Sequence, residues 1–196
     1  MCIRDRIVAA YHAGVRHFGE NRVEDALPKI AEVRALLGGA APTWHMIGHL
    51  QRRKVRDAAP AFDMVHSVDS LALAQELSKR LEPVGRSLPV LLEVNISGEA
   101  SKYGFAPGVV ASAVEPILAL PRLRLCGLMT MAPIVTVPEE ARPYFRELRA
   151  LRDELASCFP QVSWTELSMG MTDDFEPAIE EGATLVRIGR AIFQRP

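Results

Sequence analysis

The feature that most constrains the fold is an unbroken alternation of helix-like stretches and short apolar segments. Seven ranges carry apolar residues every three or four positions and predict helices: Ile7–His17, Val23–Leu37, Gln51–Ala59, Leu71–Leu81, Val109–Leu118, Arg142–Cys158 and Asp174–Glu181. Seven apolar segments predict strands: His17–Glu20, Thr43–Ile47, Met64–Val68, Val90–Ile96, Leu123–Met131, Ser163–Leu167 and Thr184–Ile188. Several of them lack strict alternation, as parallel strands covered on both faces do. The pattern predicts an α/β fold.

The number of strands leaves two α/β architectures open. A closed (β/α)8 barrel needs eight strands and typically takes about 250 residues, whereas this chain has 196. An open doubly wound sheet is the other candidate, but the Gly-x-Gly-x-x-Gly fingerprint after the first strand is missing. No linker, low-complexity tract or repeat interrupts the chain. The pattern therefore predicts one parallel α/β domain, which a barrel lacking one unit would fit.

Composition argues against several classes of protein. A formal net charge of −1 does not favour nucleic acid, because proteins that bind its phosphate backbone usually carry a basic excess. No apolar run reaches the roughly 18 residues that span a bilayer. The cysteines Cys2, Cys126 and Cys158 are odd in number and lack Cys-x-x-Cys spacing, so they predict neither a disulfide framework nor a zinc site. We expect a protein of the reducing cytoplasm that binds neither nucleic acid nor membrane.

Glycines and polar residues recur where the predicted strands end. Ligands of parallel α/β folds bind at this edge, so the placement indicates a site, although each residue alone is more often part of a turn. The residues are Gly19, Glu20, Asn21, Gly48, Asn95, Ser97, Ser168, Gly170, Arg187 and Gly189.

The last two strand ends together indicate a phosphate site. Barrels often bind phosphate in the loops after their last strands. In the segments 168–170 and 187–190, glycines allow the backbone to approach an anion and Ser168 adds a hydroxyl donor. Asp173 and Asp174 follow closely and would repel a phosphate, but acidic residues are also common at the start of a helix. We therefore expect the phosphate on the backbone and serine side of this loop.

Seven motifs, in their order and spacing, give the chain a resemblance to a known family. They are FGENRVEDALPKI, WHMIGHLQRRK, FDMVHSVDS, LLEVNISGEASKYGF, LRLCGLMTM, LSMGMTDDFEPAI and ATLVRIGRAIF. The sequence resembles the YggS/PROSC family of pyridoxal 5′-phosphate (PLP) homeostasis proteins from about Ile7 to its end. The resemblance implies a TIM-type (β/α)8 barrel, similar to the N-terminal barrel of alanine racemase, that carries PLP without catalytic turnover.

The resemblance also implies roles for nine residues. Ser168 would hold the cofactor phosphate together with the backbone of Gly189 and Arg190, and Arg187 would face the pyridine nitrogen. The remaining five would line the ring or complete the wall: Asn21, His45, Ile47, Met169 and Gly170.

The role assigned to Arg187 has a chemical consequence. A guanidinium is charged and only donates hydrogen bonds, so it would keep the pyridine nitrogen unprotonated. An unprotonated ring is a poor electron sink, and stabilisation of carbanions is what most PLP enzymes require of the cofactor. The arrangement favours storage of PLP over catalysis.

One family feature is missing from this sequence. Family members hold PLP as a Schiff base on a lysine of the first barrel strand, which would precede Ile7. Here residues 1–6 read MCIRDR, without a lysine or a strand pattern. We expect an unrelated leader over residues 1–6 and a single incomplete PLP-binding barrel over residues 7–196, lacking its first strand. Among the lysines, Lys102 alone is predicted at the ligand edge, and PLP would bind non-covalently.

The resemblance implies a monomer that carries or buffers PLP and delivers it to PLP-requiring apo-enzymes. A racemase-like PLP enzyme is the first alternative, but it would need an acid/base tyrosine from an additional domain for which 196 residues leave no room. A phosphate-binding barrel that does not use PLP is the second alternative. It would need no ring partner such as Arg187.

Overall fold

The computed structural model describes residues 3–40 and 42–193, so the first two residues of the predicted leader lie outside it. The strands are β1 (His17–Glu20), β2 (Thr43–Met46), β3 (Met64–Val68), β4 (Leu88–Glu93), β5 (Leu123–Met129), β6 (Glu166–Met171) and β7 (Leu185–Arg187). The helices are α1 (Ile3–His12), α2 (Val23–Leu36), α3 (Val55–Ala58), α4 (Leu71–Leu81), α5 (Pro107–Leu118), α6 (Arg142–Cys158), α7 (Phe175–Glu180) and α8 (Arg190–Phe193). Two 3₁₀ turns span Arg52–Lys54 and Pro138–Ala141.

The seven strands form one parallel sheet that curls into a nearly closed barrel. Each strand pairs with the next along the chain, in the order β1 to β7. His66 on β3 is hydrogen-bonded to Ser168 on β6, and because these strands are not neighbours, their side chains meet across the interior. β1 and β7 are the two ends of the sheet, and the seam lies between them. The expectation of an α/β barrel with one strand fewer than eight is confirmed.

Most of the core lies between the sheet and the helices. Phe18 and Trp44, on adjacent strands, pack with ring centroids 5.7 Å apart in this layer. A smaller apolar cluster inside the barrel contains Met64, Leu91 and Met129, with Leu185 of β7 packed against it. Across residues 3–40 and 42–193, no helix is both long and apolar enough to cross a membrane.

Helices α1 and α8 lie beside the seam, where the Arg6 guanidinium donates a hydrogen bond to the Phe193 carbonyl oxygen. The predicted bounds of the first helix, Ile7–His17, were wrong: α1 starts at Ile3 and ends at His12. Gly14, at φ +107°, lies in the turn that follows, and the chain then enters β1. Residues 3–6 of the predicted leader therefore form the first turn of α1.

Strand β6 is longer at its carboxyl end than predicted. The sequence predicted Ser163–Leu167 because Ser168 and Gly170 are typical of turns, but the strand runs over Glu166–Met171. A Cβ atom on Gly170 would lie 2.5 Å from the Ala178 Cβ, and the glycine has φ +89°. The glycine therefore allows α7 to pack closely on the strand instead of turning the chain.

Gly48 allows the loop after β2 to lie against the loop after β1. A Cβ atom at this position would be 2.3 Å from the backbone oxygen of Asn21, which is too close for backbone to tolerate. We expect Gly48→Ala to lower the free energy of unfolding by about 2 kcal/mol, as overpacking typically does. Urea denaturation measures this effect. Gly108→Ala is the matched control, because nothing lies within 4 Å and alanine is preferred inside a helix. Equal effects of the two substitutions would contradict the close approach.

Candidate functional site

The seam opens into a cavity of about 610 Å³ at the carboxyl ends of the strands. Most of its wall comes from β1, β2 and β7, the loops that follow them, and the flanking helices α1 and α8. Six of the nine residues predicted from the sequence line it: Asn21, His45, Ile47, Arg187, Gly189 and Arg190. The structure therefore brings together residues that lie as much as 169 positions apart in the numbering, from 21 to 190.

A hydroxyl and a glycine amide meet on the β7 side of the cavity. Thr172, which follows β6, lines the cavity, and its Oγ1 accepts a hydrogen bond of 3.3 Å from the Gly189 amide. The next amide, that of Arg190, is at the first position of α8, where helix N–H groups lack an intrahelical acceptor. The Thr172 hydroxyl proton and the Arg190 amide can therefore be donated to an anion. We call Thr172 and the amides of Gly189 and Arg190 the cradle.

The two aspartates beside this cradle already have partners. The Asp173 carboxylate forms an ion pair with the Arg190 guanidinium. Asp174 is 5% exposed, and its Oδ1 accepts a hydrogen bond of 2.5 Å from the Met171 amide. Their carboxylates therefore hold the loop and the Arg190 side chain, which reduces the repulsion that the sequence alone suggested.

Arg187 is held in a fixed orientation at the end of β7. Its Nη1 donates to Ser168 Oγ at 2.7 Å and its Nη2 donates to the Thr130 carbonyl at 2.8 Å. Burial lowers the pKa of Arg187 to about 10, while the charges of Asp174 and Glu93 oppose this shift. The guanidinium is therefore cationic at neutral pH and lines the cavity as a donor.

The other three predicted residues, Ser168, Met169 and Gly170, lie within β6 and do not line the cavity. Ser168 is fully buried, with its Oγ bonded to Arg187 and to His66. Met169 is fully buried in the core between sheet and helices. Direct contact between the Ser168 hydroxyl and a ligand would require both of its hydrogen bonds to rearrange.

Three histidines form a line across β1, β2 and β3. His17 Nδ1 lies 2.9 Å from His45 Nε2, and His45 Nδ1 lies 2.8 Å from His66 Nε2. Burial lowers the pKa of His45 to about 4 and the pKa of His66 well below its usual value. Both rings are therefore neutral at pH 7. In the part of the chain that the structure describes, no group of His, Cys, Asp or Glu side chains is arranged to hold a metal ion.

A lysine lines the cavity, and it is not the one predicted from the sequence. Lys29 on α2 lies in the wall, with its Nζ 2.8 Å from both carboxylate oxygens of Glu20. Lys102 is outside the wall, where its Nζ pairs with Glu99 at 2.6 Å and donates to the Met131 carbonyl at 3.4 Å.

Sequence reasoning missed four cavity or network residues: His17, Lys29, His66 and Thr172. A hydroxyl at the first position after β6 would have indicated Thr172, had the strand been extended to Met171. No local signal marked His17 or His66, because their partners come from other strands.

Known proteins similar to this chain agree with this architecture. The family model for the alanine racemase N-terminal domain matches residues 4–195. The pyridoxal phosphate homeostasis protein of Aquifex aeolicus is 44% identical over 183 residues, which cover 93% of this chain and 78% of that protein. The protein of the same name from Pseudomonas aeruginosa is 45% identical over 185 residues, covering 94% of this chain and 76% of the relative.

Solved structures are also similar to this chain. The structure of PipY from Synechococcus elongatus with PLP bound matches with a TM-score of 0.88 and 38% identity, covering 97% of this chain and 87% of PipY. An alanine racemase of Clostridium difficile matches with a TM-score of 0.72 at 14% identity, which supports the fold alone. The chain belongs to the pyridoxal phosphate homeostasis protein family.

Proposed function

We propose that this chain binds PLP in the seam cavity and takes part in vitamin B6 homeostasis as a carrier or buffer, without catalytic turnover. The observation that carries the proposal is that one cavity receives both the Thr172–Gly189 cradle and the Arg187 guanidinium. Anion donors and a fixed cationic donor are what a phosphorylated pyridine requires. The structure of PipY, with PLP bound, supports the assignment.

In this proposal the phosphate occupies the cradle after β6 and β7. The Thr172 hydroxyl, which accepts from the Gly189 amide, can donate its own proton to a phosphate oxygen, and the Arg190 amide supplies a backbone donor. Ser168 contributes indirectly, because its hydroxyl fixes the position of Arg187. Met169 and Gly170 maintain the packing of β6 that places Thr172 at the strand end.

The ring lies between Arg187 and the side chains of Asn21, His45 and Ile47, which line the opposite wall. Bound PLP would be a poor electron sink while its ring nitrogen is unprotonated. Arg187 offers that nitrogen a donor and no proton acceptor, and Ser168 and the Thr130 carbonyl prevent the guanidinium from turning away. The site therefore favours the unprotonated ring, in which PLP is stored and not used.

Binding in this chain is proposed to be reversible and non-covalent. Lys29 is paired with Glu20 through both carboxylate oxygens, and Lys102 is paired with Glu99 outside the cavity. The cavity opens directly at the seam, so PLP can leave without passing through the core. Release of this kind suits a cytoplasmic monomer that supplies PLP-requiring apo-enzymes.

The phosphate assignment can be tested at Thr172. We expect Thr172→Val, which keeps the side-chain shape and removes the hydroxyl, to weaken PLP binding about tenfold, equivalent to one hydrogen bond of about 1.4 kcal/mol. Titration with PLP, followed by its absorption, measures the affinity. Thr136→Val, in an exposed loop outside the cavity, is the control and should bind like the parent. An unchanged affinity of Thr172→Val would place the phosphate elsewhere.

A further inference from the structure

Four hydrogen bonds link Arg187 on β7 to His17 on β1 through the barrel interior. Arg187 Nη1 contacts Ser168 Oγ at 2.7 Å, and Ser168 Oγ contacts His66 Nδ1 at 2.9 Å. His66 Nε2 contacts His45 Nδ1 at 2.8 Å, and His45 Nε2 contacts His17 Nδ1 at 2.9 Å. We call these five side chains the interior chain. Its two end residues, Arg187 and His17, both line the cavity.

The charge on Arg187 decides which group donates and which accepts in each hydrogen bond of the interior chain. A guanidinium only donates, so Ser168 Oγ must accept from Arg187. Ser168 is fully buried and has one hydroxyl proton, which reaches an acceptor if it is donated to His66 Nδ1. The opposite arrangement would leave this buried O–H without an acceptor, at a cost of about 1–3 kcal/mol. The lone pair of His66 Nδ1 then also faces the positive charge of Arg187.

The direction passes from ring to ring because a neutral imidazole has one donor and one acceptor. His66 accepts at Nδ1, so it donates from Nε2 to His45. His45 accepts at Nδ1 in turn and donates from Nε2 to His17. The low pKa values of His45 and His66, caused by burial, keep both rings neutral as this requires. His17 accepts at Nδ1, and its proton is on Nε2.

We propose that His17 is a ligand-binding residue that donates a hydrogen bond from Nε2 to an oxygen of the ligand, and that Arg187 sets this donor through Ser168, His66 and His45. The His17 ring is exposed and lines the cavity, and Nδ1 is already bonded to His45, so Nε2 is the nitrogen left for a ligand. For the identity of the ligand the inference rests on the proposed function, since PLP carries an ionisable ring hydroxyl and an aldehyde oxygen.

The direction of the interior chain decides which groups the cavity accepts at this point. With Nε2 protonated, His17 attracts an oxyanion or a carbonyl oxygen. If the hydrogen bonds of the interior chain ran in the opposite direction, His17 Nε2 would present a lone pair and repel the same oxygen. For this contact Ser168 and His66 are positioning residues, and His45, which also lines the cavity, passes the direction on to His17.

Nuclear magnetic resonance of protein labelled with ¹⁵N at histidine tests the direction without any ligand. Ring nitrogen shifts distinguish the two neutral tautomers, and we expect His17, His45 and His66 all to carry the proton on Nε2. A proton on Nδ1 of His66 in the parent protein would overturn the proposal. In Ser168→Ala, which removes the link to Arg187, we expect the His17 signals to move towards a mixture of tautomers. An unchanged His17 in that variant would also overturn it.

Ser67→Ala is the matched control for this experiment. Ser67 follows His66 on β3 and is fully buried, and its Oγ lacks a hydrogen-bond partner within the described residues. The substitution therefore removes a buried hydroxyl beside His66 without removing a hydrogen bond of the interior chain. All three tautomers should remain as in the parent. A His17 change of the same size in both variants would mean that general loosening, and not the Arg187 link, moves the signals.

Addition of PLP separates the two proposals. We expect the His17 Nε2 signal to shift on binding, with little change at His66. Binding seen in the PLP absorption spectrum without a change at His17 would overturn the ligand contact and leave the proposed function intact. Failure of PLP to bind at all would overturn the proposed function and the ligand contact together, while the tautomers of the free protein would still decide the direction of the interior chain.

Discussion

Replacement of Arg187 by alanine is expected to weaken PLP binding about a hundredfold and to lower the free energy of unfolding by about 3 kcal/mol. The substitution removes the proposed ring partner. It also leaves Ser168 Oγ and the Thr130 carbonyl without their donor, and it removes a cation that faces Glu93 and Asp174. PLP titration and urea denaturation measure the two effects separately.

Arg187→Lys tests the geometry while keeping the charge. One ammonium cannot reproduce the fork that reaches both Ser168 and Thr130, so we expect most of the affinity loss to remain, with a smaller loss of stability. Arg80→Ala is the control, since its guanidinium pairs with Glu76 on α4 and lies outside the cavity. PLP affinity should change less than about threefold there. If Arg80→Ala weakened binding as much as Arg187→Ala, general positive charge would explain binding.

The fold could be predicted from the sequence because each strand has a local signature. All seven strands overlap their predicted ranges, and β1 and β3 match at both ends. Parallel strands covered by helices need apolar residues on both faces, which makes such segments visible one at a time. The errors in the predicted ranges lie at the ends of the strands. In β6, Gly170 looked like a turn residue because its close contact with α7 comes from packing between distant elements.

Only part of the site could be predicted from the sequence, because several of its contacts join elements that are distant in the sequence. Arg187 and Gly189 belong to one strand end, so spacing alone placed them together. Thr172 was missed because it becomes the first residue beyond β6 only when that strand runs to Met171. The link from His66 to Ser168 spans 102 positions and depends on barrel curvature, which a linear pattern does not contain.

Glu93 is expected to make the stability of the protein fall as the pH rises towards neutrality. Its side chain is 2% exposed at the end of β4, and its Oε2 has no hydrogen-bond partner among the described residues. Burial, followed by the charge of Asp69, raises its pKa to about 7, while Arg187 opposes the shift. Because the folded pKa lies above the unfolded value of 4.5, the folded state keeps its proton longer. The stability that this provides is complete below pH 4.5 and is lost as the pH passes 7.

Glu93→Gln keeps the shape of the protonated acid and cannot ionise. We therefore expect the free energy of unfolding of the variant, relative to the parent, to rise by about 3 kcal/mol between pH 4.5 and pH 8. His45 acts in the opposite direction, because its lowered pKa of about 4 costs stability as the pH falls below 6.5. This contribution is common to both proteins and largely cancels when they are compared at each pH.

Urea denaturation of parent and variant at four pH values between 4.5 and 8 measures this difference. Glu99→Gln is the control, since Glu99 is exposed and paired with Lys102, and its effect should vary little over the same range. A constant difference between Glu93→Gln and the parent would show that Glu93 is ionised throughout. Since Arg187 is the cation that opposes the raised pKa of Glu93, Arg187→Ala should increase the stabilising effect of Glu93→Gln at pH 8. The ionisation of Glu93 and the charge of Arg187 are thus coupled.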